Sequence, residues 1–323
     1  MKKLKVYGIV VFLLFWIPIL GQAQVEKSTL KALKKELTKD SFRFILLNDA
    51  GHNGYKDQKV IAEVMGVIAD EADVETIFSV GDQLHFKGVQ SVSDPFWITN
   101  FEVIYTHPQL LKADWYAVPG NHEYRGNVDA FVNYNEISSR WKMPSRYYVL
   151  DFKLKKNNIK RKLKVLMLDT TPMMDRYRKD KSDDSAQQDY QKQLQWVDSV
   201  LTNGKEDWNL VFGHHPIYAN TSKNPTQQQD MQTRLNPILQ KHNVDVYICG
   251  HIHNFQHIEK ENSCITYIVN TSAGNSRKIK NYEGVTYGYE GTGFLLGELT
   301  PDKLIIRLIN NKGETAYTIT KKK

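Results

Sequence analysis

The chain has 323 residues, 41% hydrophobic and 11% aromatic, which excludes a disordered protein and leaves room for one large α/β domain or two small ones. Its formal net charge of +7 is a mild bias. The lysines gather in "KLKKNNIKRKLK" and the terminal "KKK", runs that suit a solvated hairpin and a frayed tail better than a nucleic-acid surface.

The start, "MKKLKVYGIVVFLLFWIPILGQAQ", runs from lysines through an apolar stretch to small residues, the layout of a cleavable leader over residues 1–23. An uncleaved anchor is the alternative, but the apolar run is shorter than the roughly 20 residues of a spanning helix. Export to a periplasm or to the exterior is therefore expected, without stable membrane insertion. Loss of Lys2, Lys3 and Lys5 with the leader lowers the charge to about +4. The two cysteines, Cys249 and Cys264, could be bonded in such a compartment or remain free thiols.

Residues 24–40 read as a helical lead-in and residues 41–323 as a single domain. "FRFILLND" reads as a buried strand, and "KVIAEVMGVIADEA" as a helix with Val60, Val64, Val67 and Ile68 on one face. "VETIFSVGD" is a second strand, and "DPFWITNFEVIYTHPQLL" a helix capped by Asp94 with Pro95 in its first turn. "ADWYAVPGNH" and "KLKVLMLDT" are strands, "QQDYQKQLQWVDSVLTN" a helix, "WNLVFGHHP" a strand, "QQDMQTRLNPILQKH" a helix and "VDVYICGHIH" a strand. The remainder is strand-rich, with "NNKGE" as a hairpin turn. Alternating strands and helices predict crossover connections and a largely parallel sheet core.

Polar residues fall where these strands end. Asp49, Asp82, Asn121 with His122, His214 with His215, and His251 with His253 each follow an apolar run, and the last four sets are directly preceded by glycine or follow one in the same turn. Carboxyl ends of strands in α/β sheets are where ligands bind, and glycine lets backbone leave the strand and approach an ion. His251 and His253 would point the same way if the chain stays extended past Gly250.

The blocks "NDAG", "GDQLHFKGV", "GNHEY", "GHHPIYA" and "GHIHNFQ" resemble, in order and spacing, the calcineurin-like metallophosphoesterases, and within them the small purple, or tartrate-resistant, acid phosphatases. "TSAGN" is similar to that branch's late glycine loop. The resemblance implies a β-sandwich flanked by helices in four layers, α/β/β/α. It implies two metal ions bridged by Asp82, one also held by Asp49 and His253, the other by Asn121, His214 and His251. Such mixed oxygen and imidazole donors suit iron, zinc or manganese, and two ions can activate water against a phosphate ester. His122 is implied to stabilise the transition state and protonate the leaving group.

Where the purple enzymes carry a metal-binding tyrosine, this chain has His85, read as a ligand, with a position behind the ligands or simple packing as the alternatives. A neutral imidazole there favours divalent ions. His215, Lys223, Asn220 and His52 are candidates for the substrate side, although an exposed loop lysine is the plainer reading of Lys223. His107, His242 and His257 are taken as structural. The implied activity is hydrolysis of a small phosphorylated substrate, with monoester and diester both compatible with the ligand set. A metal-stabilised binding protein would have no need of His122 beside the metals. No nucleic-acid partner is expected, and nothing in the pattern bears on oligomeric state.

Overall fold

The apolar runs pair into two sheets. A computed structural model describes residues 25–323 apart from 157–158, 205 and 224, so the leader and its cleavage site lie outside the described residues. In chain order the strands are β1 (Phe42–Leu47), β2 (Thr76–Val80), β3 (Asp114–Val118), β4 (Tyr148–Lys156), β5 (Ile159–Leu168), β6 (Trp208–Gly213), β7 (Val246–Cys249), β8 (Phe255–Ile258), β9 (Thr266–Val269), β10 (Tyr287–Tyr289), β11 (Gly293–Leu299), β12 (Lys303–Asn310) and β13 (Thr315–Lys322). One sheet has the order β13, β12, β11, β1, β2, β3, and the other β10, β8, β9, β7, β6, β5, β4.

The expected parallel pairing holds at the centre of each sheet, for β1 with β2 and β2 with β3, and for β5, β6, β7 and β9 in succession. Antiparallel partners flank both, among them β11 beside β1 and β4 beside β5. Strands β2 and β7 are buried along their whole length, as strands covered on both faces must be. Phe44 and Phe78 of one sheet meet Phe212 of the other at ring separations of 6.3 and 5.0 Å, which sets the inter-sheet core. The helix Gln58–Glu71 covers the outer face of the first sheet, and the helices Tyr190–Thr202 and Pro225–Arg234 cover the second. The result is the helix, sheet, sheet, helix layering.

Several local expectations are corrected. The buried stripe of the helix Gln58–Glu71 is Ile61, Val64, Met65 and Ile68, an i, i+3, i+4, i+7 set, while Val60 lies 36% exposed, about one residue's rotation off that face. Asp94 does cap, accepting from the Phe96 N–H at 2.9 Å, but the helix ends within three residues, widens into a π turn over Ile98–Glu102, and a separate short helix starts at Pro108. Likewise the predicted 228–242 helix divides into Pro225–Arg234 and Asn236–Lys241, because Pro237 lacks an N–H and its ring clashes with a continuing turn. Lead-in residues Lys27–Glu36 are helical, and Gly313, at φ +83°, makes the β12 to β13 turn. Cys249 is buried, Cys264 is exposed, and both are free thiols. No helix among the described residues is long and apolar enough to cross a membrane.

Candidate metal centre

Loops at the carboxyl ends of β1, β2, β3, β6 and β7 are tied to one another through backbone. Asp49 N–H donates to the Gly81 carbonyl at 3.0 Å, Gly51 N–H to that of Asp82 at 3.3 Å, and Gly250 N–H to that of His214 at 3.0 Å. Around these ties the ligand-capable atoms of Asp49, Asp82, His85, His122, His214, His215, His251 and His253 fall into overlapping groups, each within 4.8 Å. Asp49 Oδ1 lies 3.0 Å from His253 Nε2 and 3.9 Å from His85 Nε2. Asp82 Oδ2 lies 3.2 Å from His214 Nε2, 3.7 Å from His85 Nε2 and 3.8 Å from His122 Nε2.

The backbone at the site is strained. Asp49, Asp82, His251 and His253 all have positive φ, 50°, 54°, 70° and 65°, and such residues cost about 1–3 kcal/mol each. Here the expectation of an extended chain past Gly250 is corrected: β7 ends at Cys249, and His251 and His253 are aimed by left-handed turns. Gly120 lets the β3 loop press against Asp82, since a Cβ there would sit 2.3 Å from Asp82 Oδ1.

Hydrogen bonds sort the histidines by which nitrogen keeps a lone pair. His214 Nδ1–H donates to the Val80 carbonyl at 2.9 Å, and His253 Nδ1–H to the Asn275 carbonyl at 3.0 Å, so in the neutral form of both rings Nε2 holds the lone pair and faces a carboxylate. His251 Nε2 lies 3.4 Å from Gln227 Oε1, an acceptor, which frees Nδ1. His215 is arranged oppositely. Thr170 Oγ1 already accepts from the His214 and His215 N–H groups at 3.2 and 3.0 Å, so both its lone pairs are taken and its hydrogen goes to His215 Nδ1 at 2.9 Å. His215 Nε2 then carries a proton and is a donor. His122 Nδ1 accepts from the Phe86 N–H at 3.0 Å, so its Nε2 also carries the proton.

Asp82 draws a proton onto His214 Nε2, the place a metal ion would take. Burial alone would raise Asp49 and Asp82, but His253 and His214 respectively lead the neighbouring imidazoles that hold both carboxyls below the usual range. Burial would lower His214, yet Asp82 and then Asp49 lift it to about 9. Burial dominates at His85, which falls to about 3, and it also lowers His122, His215 and His251.

Seven buried atoms, Asp49 Oδ1, both ring nitrogens of His85, Asn121 Oδ1, His214 Nε2, His215 Nε2 and His251 Nδ1, make no hydrogen bond among the described residues. Buried polar atoms are nearly always satisfied, and apart from the His215 donor these orphans around two carboxylates fit metal cations. The mixed carboxylate, amide and imidazole donors suit two transition-metal ions rather than calcium.

The remaining predicted site residues separate. His52 is buried beside the centre, stacked on His85 with ring centroids 4.7 Å apart and bonded through Nε2 to Asn275 Oδ1 at 3.0 Å. Lys223 is not the exposed lysine expected. Its Nζ donates to the His251 carbonyl, and burial lowers it to about 8. Asn220 is not brought to the centre. Its amide is committed to Asn281 and the Glu283 carbonyl, and it lines a separate cavity of about 340 Å³ with Tyr218 and Lys260. His107 caps a helix at Gln109, His242 pairs with Asp198 and His257 with Glu259.

Sequence reasoning passed over three supports. Glu123, 1% exposed, accepts the N–H groups of Asp82, Leu84 and Gly120 at 2.9, 2.9 and 2.7 Å, and burial with Asp82 lifts it to about 7. Thr170 and Asn275 are the others. An acid within the "GNHEY" block and the asparagine that closes "TSAGN" were the available signals; nothing in the string gave Thr170 its role.

With this geometry in place the class is defined: the calcineurin-like phosphoesterase family profile matches residues 42–255, and the chain belongs to that family of metal-dependent phosphoric ester hydrolases. Its relatives narrow the branch. The chain is 31% identical to tartrate-resistant acid phosphatase type 5 of Mus musculus over 329 residues, 94% of each chain. It is 33% identical to the Homo sapiens protein of that name, over 75% of this chain and 77% of the other, and 30% identical to purple acid phosphatase 4 of Arabidopsis thaliana, over 86% and 82%. Among solved structures, the fold is shared with Plasmodium GAP50, described as the anchor in the inner membrane complex, at TM-score 0.75 and 22% identity over 87% of this chain and 88% of that one. It is also shared with a purple acid phosphatase from yellow lupin seeds, at TM-score 0.60 and 14% identity over 88% and 54%.

Proposed function

We propose that this chain is an exported phosphomonoesterase that uses two divalent metal ions, of iron, zinc or manganese, to hydrolyse a small phosphorylated substrate. The observation that carries this reading is the division of labour among the imidazoles in their neutral form: lone pairs on His214, His251 and His253, but N–H groups on His122 and His215. A binding site needs only the first set. Asp82 would bridge the ions, with Asp49, His253 and His85 on one side and Asn121, His214 and His251 on the other. Two such ions stabilise the attacking and leaving oxygens of an in-line phosphoryl displacement and supply ionised water near neutral pH.

His122 Nε2–H would donate a hydrogen bond to the leaving oxygen and stabilise the charge that develops there, with the Phe86 N–H fixing the ring. His215 Nε2–H and Lys223 would bind non-bridging phosphate oxygens, His52 would support His85 by stacking, and Asn220 has no role at the centre. The acid phosphatase relatives favour monoesters, and the leader over residues 1–23 favours export of a domain spanning 41–323. Turnover of 4-nitrophenyl phosphate and its bis-aryl diester, with metal analysis and a chelator arm, tests this. Chelator-sensitive monoester turnover is expected. Faster diester turnover makes the chain a phosphodiesterase, and two bound metals without turnover of either ester make it a binding protein.

A further inference from the structure

Phe86 is the one residue of the β2 loop that combines three unusual features. It is 61% exposed and packs into neither apolar cluster of the molecule. Its backbone is held at φ +75°, which a bulky side chain avoids unless something fixes it. What fixes it is functional machinery: its N–H donates to His122 Nδ1 at 3.0 Å and its carbonyl accepts from Arg125 Nη1 at 3.2 Å. The ring is thereby stood up beside the metal centre, with its centroid 6.1 Å from that of His52 and 6.3 Å from that of His85, inclined at 72° and 62°. It meets those imidazoles edge-wise and leaves ring surface to solvent beside the centre.

Strain and exposure of a large apolar group both cost stability, and nothing in the core is gained in return. Folding does not explain the arrangement, whereas an aromatic group entering with the substrate does. We infer that the Phe86 ring is a stacking platform for the leaving group, so that the preferred substrates are phosphate esters carrying a flat aromatic ring. This rests on the phosphoester reading above and adds the substrate's other half. Arg125, holding the Phe86 carbonyl, keeps the platform in place.

The test measures binding of non-hydrolysable phosphonates to the metal-loaded full chain by calorimetry, comparing benzylphosphonate and an adenosine 5′-phosphonate each with methylphosphonate. The two aromatic ligands distinguish a ring next to the reacting group from a base one sugar farther out. Wild type should bind at least one of them about tenfold more tightly than methylphosphonate, the usual scale of one aromatic stack. Phe86→Ala should shrink that ratio to roughly twofold or less, and Phe86→Trp should keep it. Because the ratio is taken within each variant, any disturbance of His122 through the backbone cancels. A wild type with no aromatic preference, or a preference that survives in Phe86→Ala, overturns the inference. If methylphosphonate itself fails to bind, the phosphoester reading has failed, and the platform falls with it.

Discussion

Gly120→Ala is a one-carbon change aimed at the bridge between the proposed metals. The new Cβ would lie 2.3 Å from Asp82 Oδ1, 2.6 Å from Asp82 N and 3.0 Å from Asp82 Cγ. Carbon and oxygen at 2.3 Å cannot coexist, so the carboxylate or the β3 loop must retreat by roughly 0.7 Å or more. Neither can do so cheaply. Asp82 Oδ1 accepts the His122 backbone N–H at 2.9 Å, and the Gly120 N–H is clamped by Glu123 at 2.7 Å, so the shift moves Asp82, His122 and the clamp together. A displacement near 1 Å among reacting groups costs about 10² in kcat, and overpacking costs about 1–3 kcal/mol of stability. We expect a folded protein melting a few degrees lower, with turnover of an aryl phosphate down about a hundredfold and at least one metal weakly held. Gly284→Ala, where an added Cβ meets nothing within 4 Å although φ is +69°, is the control and should cost only stability. A Gly120→Ala enzyme with two tightly held metals and turnover within threefold of wild type would mean that Asp82 does not sit where the chemistry occurs.

His122→Ala should keep both metals while kcat falls by about 10² to 10³, the usual loss for one transition-state hydrogen-bond donor; departure of the metals would move His122 into the ligand set. His85→Tyr, loaded with iron, should gain a visible absorption band that wild type lacks and shift the pH optimum toward acid, and an unchanged spectrum would remove His85 from the ligand position. For pH dependence of stability, burial holds the Asp169 carboxyl up at about 7, against the opposing pull of Tyr124 and Arg146. An acid raised in the folded state contributes stability that is complete below its unfolded value near 4 and lost as pH rises through 7, up to about 4 kcal/mol. In metal-free protein the wild-type melting temperature should therefore fall relative to that of Asp169→Asn between pH 4 and 7, and parallel profiles would contradict the buried carboxyl.

The parts of the site legible in the sequence are those the chain places by local means. Asp49, Asp82, Asn121, His214 and His251 each follow a buried strand at a sharp turn, and that pattern of apolar run, turn and polar group needs no knowledge of the partner sheet. The left-handed turn at His251 was not legible, because non-glycine residues seldom adopt it and ties from distant residues hold it there, among them the His251 N–H to Asp49 Oδ2, 2.8 Å across 202 residues. Lys223 and Asn220 lie on a loop whose course depends on the 281–283 segment, so proximity in sequence to the histidines misled for one and undersold the other. The short strands β8 and β10 escaped notice because four and three residues give no periodicity to read.

The Thr170 hydroxyl has a consequence for how such sites diversify. "His-His" is a symmetric word, yet one hydroxyl 45 residues away makes its second letter a proton donor by exhausting its own lone pairs on two amides. Replace that hydroxyl with a group that only accepts, and His215 would flip its proton to Nδ1 and offer Nε2 as an electron pair, turning a hand for phosphate into an extra hand for metal. On the proposed assignment, metal affinity and substrate affinity at this centre would be traded through a residue that touches neither, so a lineage could retune one against the other while its histidine signature stays unaltered.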